Sequence, residues 1–577
     1  MEEDILLLIR KYAIKNAVDY NGKASFGSVF SKAISKVGKG SNLEELKTAV
    51  SNVVKDINGL TPEQQMSEFK KYESEFEEEY KEKLKKTANP NLELQGAEVG
   101  NFATRYAPEP NGYLHLGHAK VVFLEQEQAK IYKGKAFLYF DDTNPEKERQ
   151  EFVDSIKMDL KWLGAKFDKE YYASDNIEKE YEYARKLIEI NKAYVCTCEP
   201  ETIKKYRFES IECPHSHNPE SENMVMFQEM LDGEYDEGKA VLRFKGDIAS
   251  QNTAMRDPTL MRIKNSTHYR QGDKYLVWPT YDFNTPIMDS IHGVTDAMRS
   301  KEYELRDTLY KELLHLLGLR VPRMHYEARL EIKGTVTSKR KLNELINKGL
   351  VSGYDDPRLI TIAALRRRGI LPEAIKKFVL RFGMSLAGST TDISYLMAEN
   401  KRLVDPSAKR LFFVENPIRL ELEGFANRKV KMALHPNGNL GEREYEVGNV
   451  FYISSPDAEG LDVGSEVRLK DLIGVKVSSI SKSAIHGSAI EGQGNKDTKK
   501  VQWVSEGNYV KCNVLVPGEM VDKDDNFIDG SLKTSSGYVE SYADKLQERE
   551  VIQFERFGFA TFDGNEKGTK RFIFMSK

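Results

Sequence analysis

His115 and His118 stand three residues apart at the end of the stretch FATRYAPEPNGYLHLGH (102–118). Two imidazoles at that spacing can donate hydrogen bonds to one oxyanion. An apolar run and a Pro/Gly-broken turn precede them, and the helix-forming run HAKVVFLEQEQAKIYKGK follows. That order predicts strand–turn–helix, which aims small residues and helix N-terminal N–H groups at a phosphate. Asp141 and Asp142 end another apolar run, AFLYFDD. Paired carboxylates at a strand end suit acid/base work or a metal; the plainer alternative is that Asp142 or Thr143 caps the next helix. Cys196-x-Cys198 is followed, after fourteen residues, by Cys213-x-His215. Three thiolates and an imidazole make a tetrahedral zinc set, closed and structural, with His217 as a substitute ligand. Cys512 lies in a strand pattern and is expected in the core.

Holding such groups in place takes several domains, and 577 residues supply about three to five. Lys+Arg 86 against Asp+Glu 90 leaves a net charge of −4. Binding to nucleic acid through the overall field is thereby excluded, so such contact must use local basic surface. Four cysteines, three of them clustered, suggest a reducing compartment. The opening MEEDILLLIRKY, apolar only from Ile5 to Ile9, predicts neither a signal peptide nor a membrane span. A soluble, cytoplasmic protein with no membrane partner is expected.

Residues 1–92 are predicted helical, with Ile5, Leu8, Ile9 and Tyr12 at helical spacing. Phe69, Tyr72, Phe76 and Tyr80 form a packing seam in a charged stretch, and Ala88-Asn89-Pro90-Asn91 a linker. From 97 strands and helices alternate as in a doubly wound nucleotide fold. Residues 194–280 break that rhythm as an insertion between its halves, and the fold runs on to 330. Residues 331–410 hold GTVTSKRKL and further helices. There Arg366, Arg367, Arg368, Lys376, Lys377 and Arg381 form basic clusters that by themselves read as solvated surface and that could line a phosphate backbone. From 411 the period becomes two, as at Val430, Met432 and Leu434, predicting an all-β region of one or two small barrels.

Residues 102–118 resemble the His-Ile-Gly-His signature of class I aminoacyl-tRNA synthetases, with Leu116 in the isoleucine place. Arg105 and Pro108-Glu109-Pro110 are similar to the glutamyl/glutaminyl branch, and FDDTNPEKE matches that branch almost letter for letter. Val336-Thr337-Ser338-Lys339-Arg340 resembles the Lys-Met-Ser-Lys-Ser loop in its Ser-Lys-Arg form, without the first lysine. YDFNTP and GVTDAMRSKEY, which carries Arg299, look closer to the glutamyl than the glutaminyl pattern. The all-β tail is similar to glutamyl-tRNA synthetases of the archaeal/eukaryotic type, and NAVDYNGKAS to helical tRNA-binding appendages of this enzyme group.

The resemblance implies a multidomain α/β plus all-β protein. Its parts are a helical N-terminal appendage (1–92), a Rossmann-like class I catalytic domain (97–330) with an acceptor-binding insertion (194–280), a signature loop and helical stem-contact region (331–410), and a C-terminal β-barrel anticodon-binding region (411–577). It implies glutamyl-adenylate formation from L-glutamate and ATP with Mg²⁺, then transfer to tRNA-Glu by a monomer. Whether tRNA-Gln is charged too stays open, and a glutaminyl enzyme or a non-catalytic tRNA-binding paralogue is the alternative. His115, His118, Ser338 and Lys339 are the implied catalytic residues, with Pro108, Gly117 and Arg340 joining three of them, His115, His118 and Lys339, around ATP. Arg105, Ala107, Glu109, Asp141, Tyr281 and Arg299 are the implied amino-acid pocket: Asp141 and Tyr281 for the ammonium, the two arginines as forks for carboxylates. Some bacterial glutamyl enzymes resemble the Cys196, Cys198, Cys213, His215 arrangement in their insertion.

Overall fold

Helical apolar spacing in the first segment folds into α1 (Glu3–Asp19), α2 (Phe26–Val37), α3 (Leu43–Asn58) and α4 (Pro62–Phe69). The computed structural model describes residues 3–19, 22–37, 43–72, 75–76, 92–336, 338–481, 483–490 and 498–577. Ile9, Ala13, Ile14 and Ala17 of α1 share a core with Val50, Val53 and Ile57 of α3. Thr61 and Gln64 start α4 with a reciprocal capping box. Phe69, Tyr72 and Phe76 pack against that core, as a seam should; Tyr80 and the linker at 88–91 lie outside the described residues. The chain divides into two compact units, Met1–Asn89 and Pro90–Lys577.

In the second unit β1 (Ala103–Tyr106), β2 (Lys135–Phe140) and β3 (Lys169–Tyr172) form a parallel sheet. The crossovers carry α5 (Leu116–Ile131) and α6 (Gln150–Trp162), and α7 (Ile177–Glu189) follows. Five consecutive buried residues make up most of β2, which is why it reads as an unbroken apolar run. A four-stranded antiparallel sheet then intervenes: β4 (Ala193–Cys196), β5 (Val241–Phe244), β6 (Thr259–Ile263) and β7 (Val277–Pro279). Between β4 and β5 run α8 (Pro200–Glu209) and α9 (Glu220–Asp232). The nucleotide fold resumes with α10 (Tyr281–Ile291), β8 (Asp296–Ser300), α11 (Asp307–Leu317) and β9 (Arg323–Glu327). β8 and β9 pair in parallel, and Thr295 N donates to Ala103 O at 2.8 Å, seating that pair beside β1.

Next come β10 (Leu330–Ile332), α12 (Lys339–Asn347), α13 (Ile362–Arg367), α14 (Pro372–Leu380), β11 (Ser389–Thr391) and α15 (Ser394–Val404). Three of the six basic residues here, Arg367, Arg368 and Lys376, depart from expectation. Arg367 donates to both carboxylate oxygens of Asp563, at 2.9 and 2.8 Å. Arg368 is buried and donates to the carbonyls of Phe574 and Met575. Lys376 pairs with Glu127 of α5 at 2.5 Å. These three knit the helices to their neighbours instead of lining a phosphate path. Consecutive helical residues point about 100° apart, so a run of three arginines cannot all face outward on a packed helix. Gly369, at φ +80°, ends this helix against the β region, and a Cβ there would lie 2.2 Å from Thr561 Oγ1.

The period-two tail forms two seven-segment sheets. In one, Lys409–Leu411 and Phe413–Glu415 sit at opposite edges, yet they are one chain segment that changes partner at Phe412. In the other, Lys499–Val501 and Trp503–Ser505 do the same across Gln502. Each sheet is therefore closed into a barrel by a single strand that swaps neighbours, which removes exposed edges. Phe412, Phe451 and Trp503 fill the core of one barrel; Phe554, Phe572 and the buried Cys512 fill the other.

Candidate active site and metal centre

His115 is the N-cap of α5, and the two histidines cap the helix reciprocally. Gly117 N donates to His115 Nδ1 and His115 N donates to His118 Nδ1, both at 3.1 Å. With each Nδ1 accepting, the proton of each neutral ring belongs on Nε2, which makes that nitrogen the donor. The rings lie 3.8 Å apart, centroid to centroid. A Cβ at position 117 would lie 2.9 Å from His115 Cε1, so only glycine admits the ring. Segment 354–362 braces this turn: Leu116 N donates to Ile360 O, Ile362 N to Leu114 O, and Tyr113 stacks on Tyr354 at 4.1 Å.

The second signature enters from β10. Lys333 and Gly334 turn the chain, Ser338 is the N-cap of α12 and Lys339 its first residue; Thr337 lies outside the described residues. Arg340 is exposed. Val336 is buried with Leu342, Met520 and Val521, and Met520 N donates to Gly334 O at 2.8 Å. The loop is thus seated on a segment of the barrel that holds Cys512, and a cavity of about 640 Å³ lies between Thr335, Lys341, Val521 and Asp525.

Pro108 O accepts from Asp141 N at 3.1 Å, which ties the turn after β1 to the end of β2; Ala107 is half-buried and Glu109 exposed. Asp141 accepts from Asn284 Nδ2 at 2.9 Å, and Asn284 Oδ1 accepts from Tyr139 OH at 2.9 Å. Burial, then Glu109 and Asp142, push the Asp141 carboxyl up to about 7. Tyr281 begins α10, three residues before Asn284 and so on the same helix face. Its hydroxyl accepts from Arg299 Nη2 at 3.3 Å. Arg299 is 5% exposed, donates to Asp307 at 2.9 Å, and lies 5.3–5.8 Å from the rings of Tyr281, Tyr303 and Tyr310. Its Nε is buried without a hydrogen-bond partner among the described residues. A buried guanidinium N–H in that condition is an invitation to an anionic acceptor.

Arg105 differs from the expected open fork. Its Nε and Nη2 donate to the two oxygens of Asp289, at 2.8 and 3.1 Å, and Nη1 to Met298 O at 3.0 Å. Asp289 takes a further bond from Tyr310 OH at 2.8 Å. In this geometry Arg105 ties β1 to α10 and β8, the elements that carry Tyr281 and Arg299.

Asp142 caps no helix, since α6 begins only at Gln150. It accepts from Ser174 N, Ser174 Oγ and Tyr269 OH, each at 2.8 Å. His268 takes two backbone N–H bonds on Nδ1, so its Nε2 carries the proton, 3.8 Å from Asp142 and 3.7 Å from Glu148. Burial lowers His268 to about 4 and, with the neighbouring aspartates, raises Glu148 to about 10. His268, Tyr269, Glu148 and Asn284 had not been singled out from the sequence. Glu148 lies inside the matched FDDTNPEKE run, but lone polar residues in THYRQG carry no spacing signal.

In the insertion, Cys196 and Cys213 Sγ are 3.6 Å apart, and Cys198 and Cys213 Sγ 3.8 Å. His215 Nδ1 is 3.5 Å from both Cys198 and Cys213 Sγ. Zinc bonds of about 2.3 Å to sulfur and 2.0–2.1 Å to nitrogen at tetrahedral angles give S···S edges of roughly 3.8 Å and S···N edges of roughly 3.5 Å. The four side chains could hold a metal ion. Thr197 Oγ1 lies 3.1 Å from His215 Nε2, which would orient the ring, and the buried Arg243 guanidinium approaches Cys196 Sγ at 3.8 Å. His217 is turned away, to Glu212 at 3.2 Å.

A Rossmann-type sheet, paired histidines at a helix start, a second signature loop and two barrels define a class I synthetase. The family profile "tRNA synthetases class I (E and Q), catalytic domain" matches residues 101–402. The two profiles for the anticodon-binding domain of the same family match 408–497 and 500–563. This chain belongs to that family, the class I glutamyl/glutaminyl tRNA synthetases. It is 40% identical to the glutamate–tRNA ligase of Nitrosopumilus maritimus, over 98% of this chain and 99% of the relative. It is 38% identical to that of Pyrococcus furiosus, over all of both chains. The crystal structure of an Elizabethkingia meningosepticum glutamate tRNA ligase in complex with its amino acid aligns at TM-score 0.39 and 19% identity, over 53% of this chain and 70% of that one. No helix of the described residues is long and apolar enough to cross a membrane.

Proposed function

We propose that this site activates L-glutamate with ATP and transfers it to the 3′-terminal adenosine of tRNA-Glu. A substrate carboxylate oxygen attacks the α-phosphorus, and the bond to pyrophosphate breaks. The 2′-hydroxyl oxygen then attacks the carbonyl carbon, AMP leaves with the phosphate oxygen, and the hydroxyl proton is lost. His115 and His118 donate through Nε2 to phosphate oxygens, and Ser338, Lys339 and Arg340 bring polarity and positive charge to the leaving pyrophosphate, with Mg²⁺ accompanying ATP. Pro108 and Gly117 shape the ATP turn. Asp141 and Tyr281 hold the ammonium near Ala107 and Glu109, and Arg299 pairs a carboxylate. The barrels take the unpaired anticodon bases. The enzyme acts as a cytoplasmic monomer.

The observation that carries this reading is Arg299, whose buried Nε lacks a partner among the described residues, beside Tyr281. Pyrophosphate exchange with glutamate or glutamine, with and without tRNA, tests it. Exchange with glutamate that needs tRNA is expected. Exchange with glutamine alone would make the chain a glutaminyl enzyme, and none with either would make it a non-catalytic paralogue.

Asp141 adds a pH dependence. A carboxyl raised to about 7 is protonated, and useless to an ammonium, at lower pH. Thus kcat/KM for glutamate is expected to fall below pH 7, approaching tenfold per unit. A flat profile from pH 8 to 5.5 would remove Asp141 from ammonium binding.

Cys196, Cys198, Cys213 and His215 would hold one structural zinc, stabilising the insertion against which the acceptor end docks. Metal analysis is expected to find about one zinc per chain. Cys213→Ser should release it and impair transfer to tRNA more than use of ATP. Protein prepared without chelator yet free of zinc would refute the assignment.

A further inference from the structure

Lys120 lies two residues after His118, on the first turns of α5, and is 3% exposed. Its ammonium donates to the carboxylate of Glu327 in a close ion pair and to Ala328 O at 2.5 Å. Glu327 is 5% exposed and is the last residue of β9. Ala328 and Arg329 are the two residues across which the chain leaves the β8–β9 pair and enters the pairing of β10 with β11. Ala328 N donates to Ser385 O at 2.9 Å, so the crossing is held from both sides. Six residues beyond Ile332, after the turn at Gly334 with φ +71°, stand Ser338 and the start of α12.

Leu330 and Ile332 already pack with Leu116, Ala119 and Val122 of α5. That contact stabilises the junction but is non-directional and tolerates small slides. A buried ion pair is poorly suited to adding stability, because desolvation offsets most of its attraction and an apolar pair of similar volume does as well. What it adds is direction. One ammonium bonded to a carboxylate and to the next carbonyl fixes the 327–328 peptide relative to the helix that bears both histidines.

We propose that Lys120 and Glu327 are positioning residues that set the spacing between the histidine signature on α5 and the Ser338-Lys339 loop. The pair acts on the reacting phosphates only through those signatures. This rests on the reading of both signatures given above.

The test uses the full-length enzyme with tRNA, ATP and glutamate, reading pyrophosphate exchange and thermal unfolding. In Lys120→Met/Glu327→Met both charges go and the volume stays, so unfolding is expected within a few degrees of wild type or above it. The exchange kcat is expected to fall roughly 10²-fold, the scale of a misplacement of about 1 Å, with KM for glutamate within about twofold. Glu327→Gln keeps an acceptor for Lys120 and is expected to lose less, about tenfold, again in kcat. A folded double variant with wild-type kcat would overturn the proposal, as would a loss shared equally between kcat and KM for glutamate. Should the double variant fail to fold, Glu327→Gln decides alone: wild-type kcat there overturns the proposal, and a selective fall in kcat supports it. Lys339→Ala is run alongside. Wild-type turnover in that variant sinks the reading of the loop itself; a defective Lys339→Ala beside an unaffected double variant sinks only the positioning role.

Discussion

Arg299→Cys is expected to lower kcat/KM for glutamate by about 10³-fold while that for glutamine falls by no more than about tenfold. The two amino acids are nearly isosteric, so shape cannot separate them. Charge can: a carboxylate entering a dry pocket gives up its hydration, and leaving it without a buried partner costs about 3–5 kcal/mol. Buried polar mismatch of this type discriminates by about 10⁴–10⁵-fold. Arg299 is placed for the task, with one N–H group at Asp307, one at Tyr281 OH and Nε unclaimed among the described residues. The fold should survive the substitution, because Asp307 keeps Tyr326 OH and has Lys311 at 3.8 Å. Steady-state kinetics on both substrates, with unfolding as control, decide the matter. An equal fall for both would assign Arg299 to the shared α-carboxylate or to the fold. A complete switch to glutamine is not expected, since Arg105 still holds α10 and β8 in place through Asp289 and Met298 O.

Lys339→Ala should lower the rate of pyrophosphate exchange about 10²–10³-fold, the usual loss for one preorganised donor at a developing charge. Lys339 is the first residue of α12, at the positive end of the helix dipole, and Ser338 is its N-cap. Alanine is as good a helix former as lysine, so stability should hold within a few tenths of a kcal/mol, roughly. The loop is seated by buried Val336 and by the bond from Met520 N to Gly334 O. Single-turnover exchange beside a thermal scan measures both quantities. Unimpaired turnover in a folded variant would take Lys339 out of the chemistry.

Local chemistry made some of this protein legible in the chain itself. A Pro/Gly turn followed by His115 and His118 dictates a capped helix start, and it forms as a reciprocal cap because both histidines fall within one turn. Two short Cys/His pairs can reach one point whatever surrounds them, and they do so with tetrahedral edges. Alternation at Val430 and Met432 announces a half-buried strand, since side-chain direction there has period two. Barrels were expected from the period, but where each closes was not legible. That depends on Phe412 and Gln502, where one strand changes neighbours, and pairing between segments as distant as Lys409 and Ile552, or Lys499 and Val467, leaves no local pattern.

Tertiary structure alone decided the fate of the charges. Arg105 and Arg299 look alike in sequence, each an arginine at a strand inside a matched run. Only packing shows that Arg105 is taken by Asp289, which is 184 residues away, whereas Arg299 keeps an N–H without a partner among the described residues. The arginines at 367 and 368 read as surface until the barrel that holds Cys512 supplies Asp563 and two carbonyls. Lys120 and Glu327, 207 positions apart, carry no motif that joins them. A formal charge is a property of the residue, but whether it meets a partner, a substrate or water depends on which distant elements are brought beside it, and a burial free energy of several kcal/mol, roughly, turns on that choice.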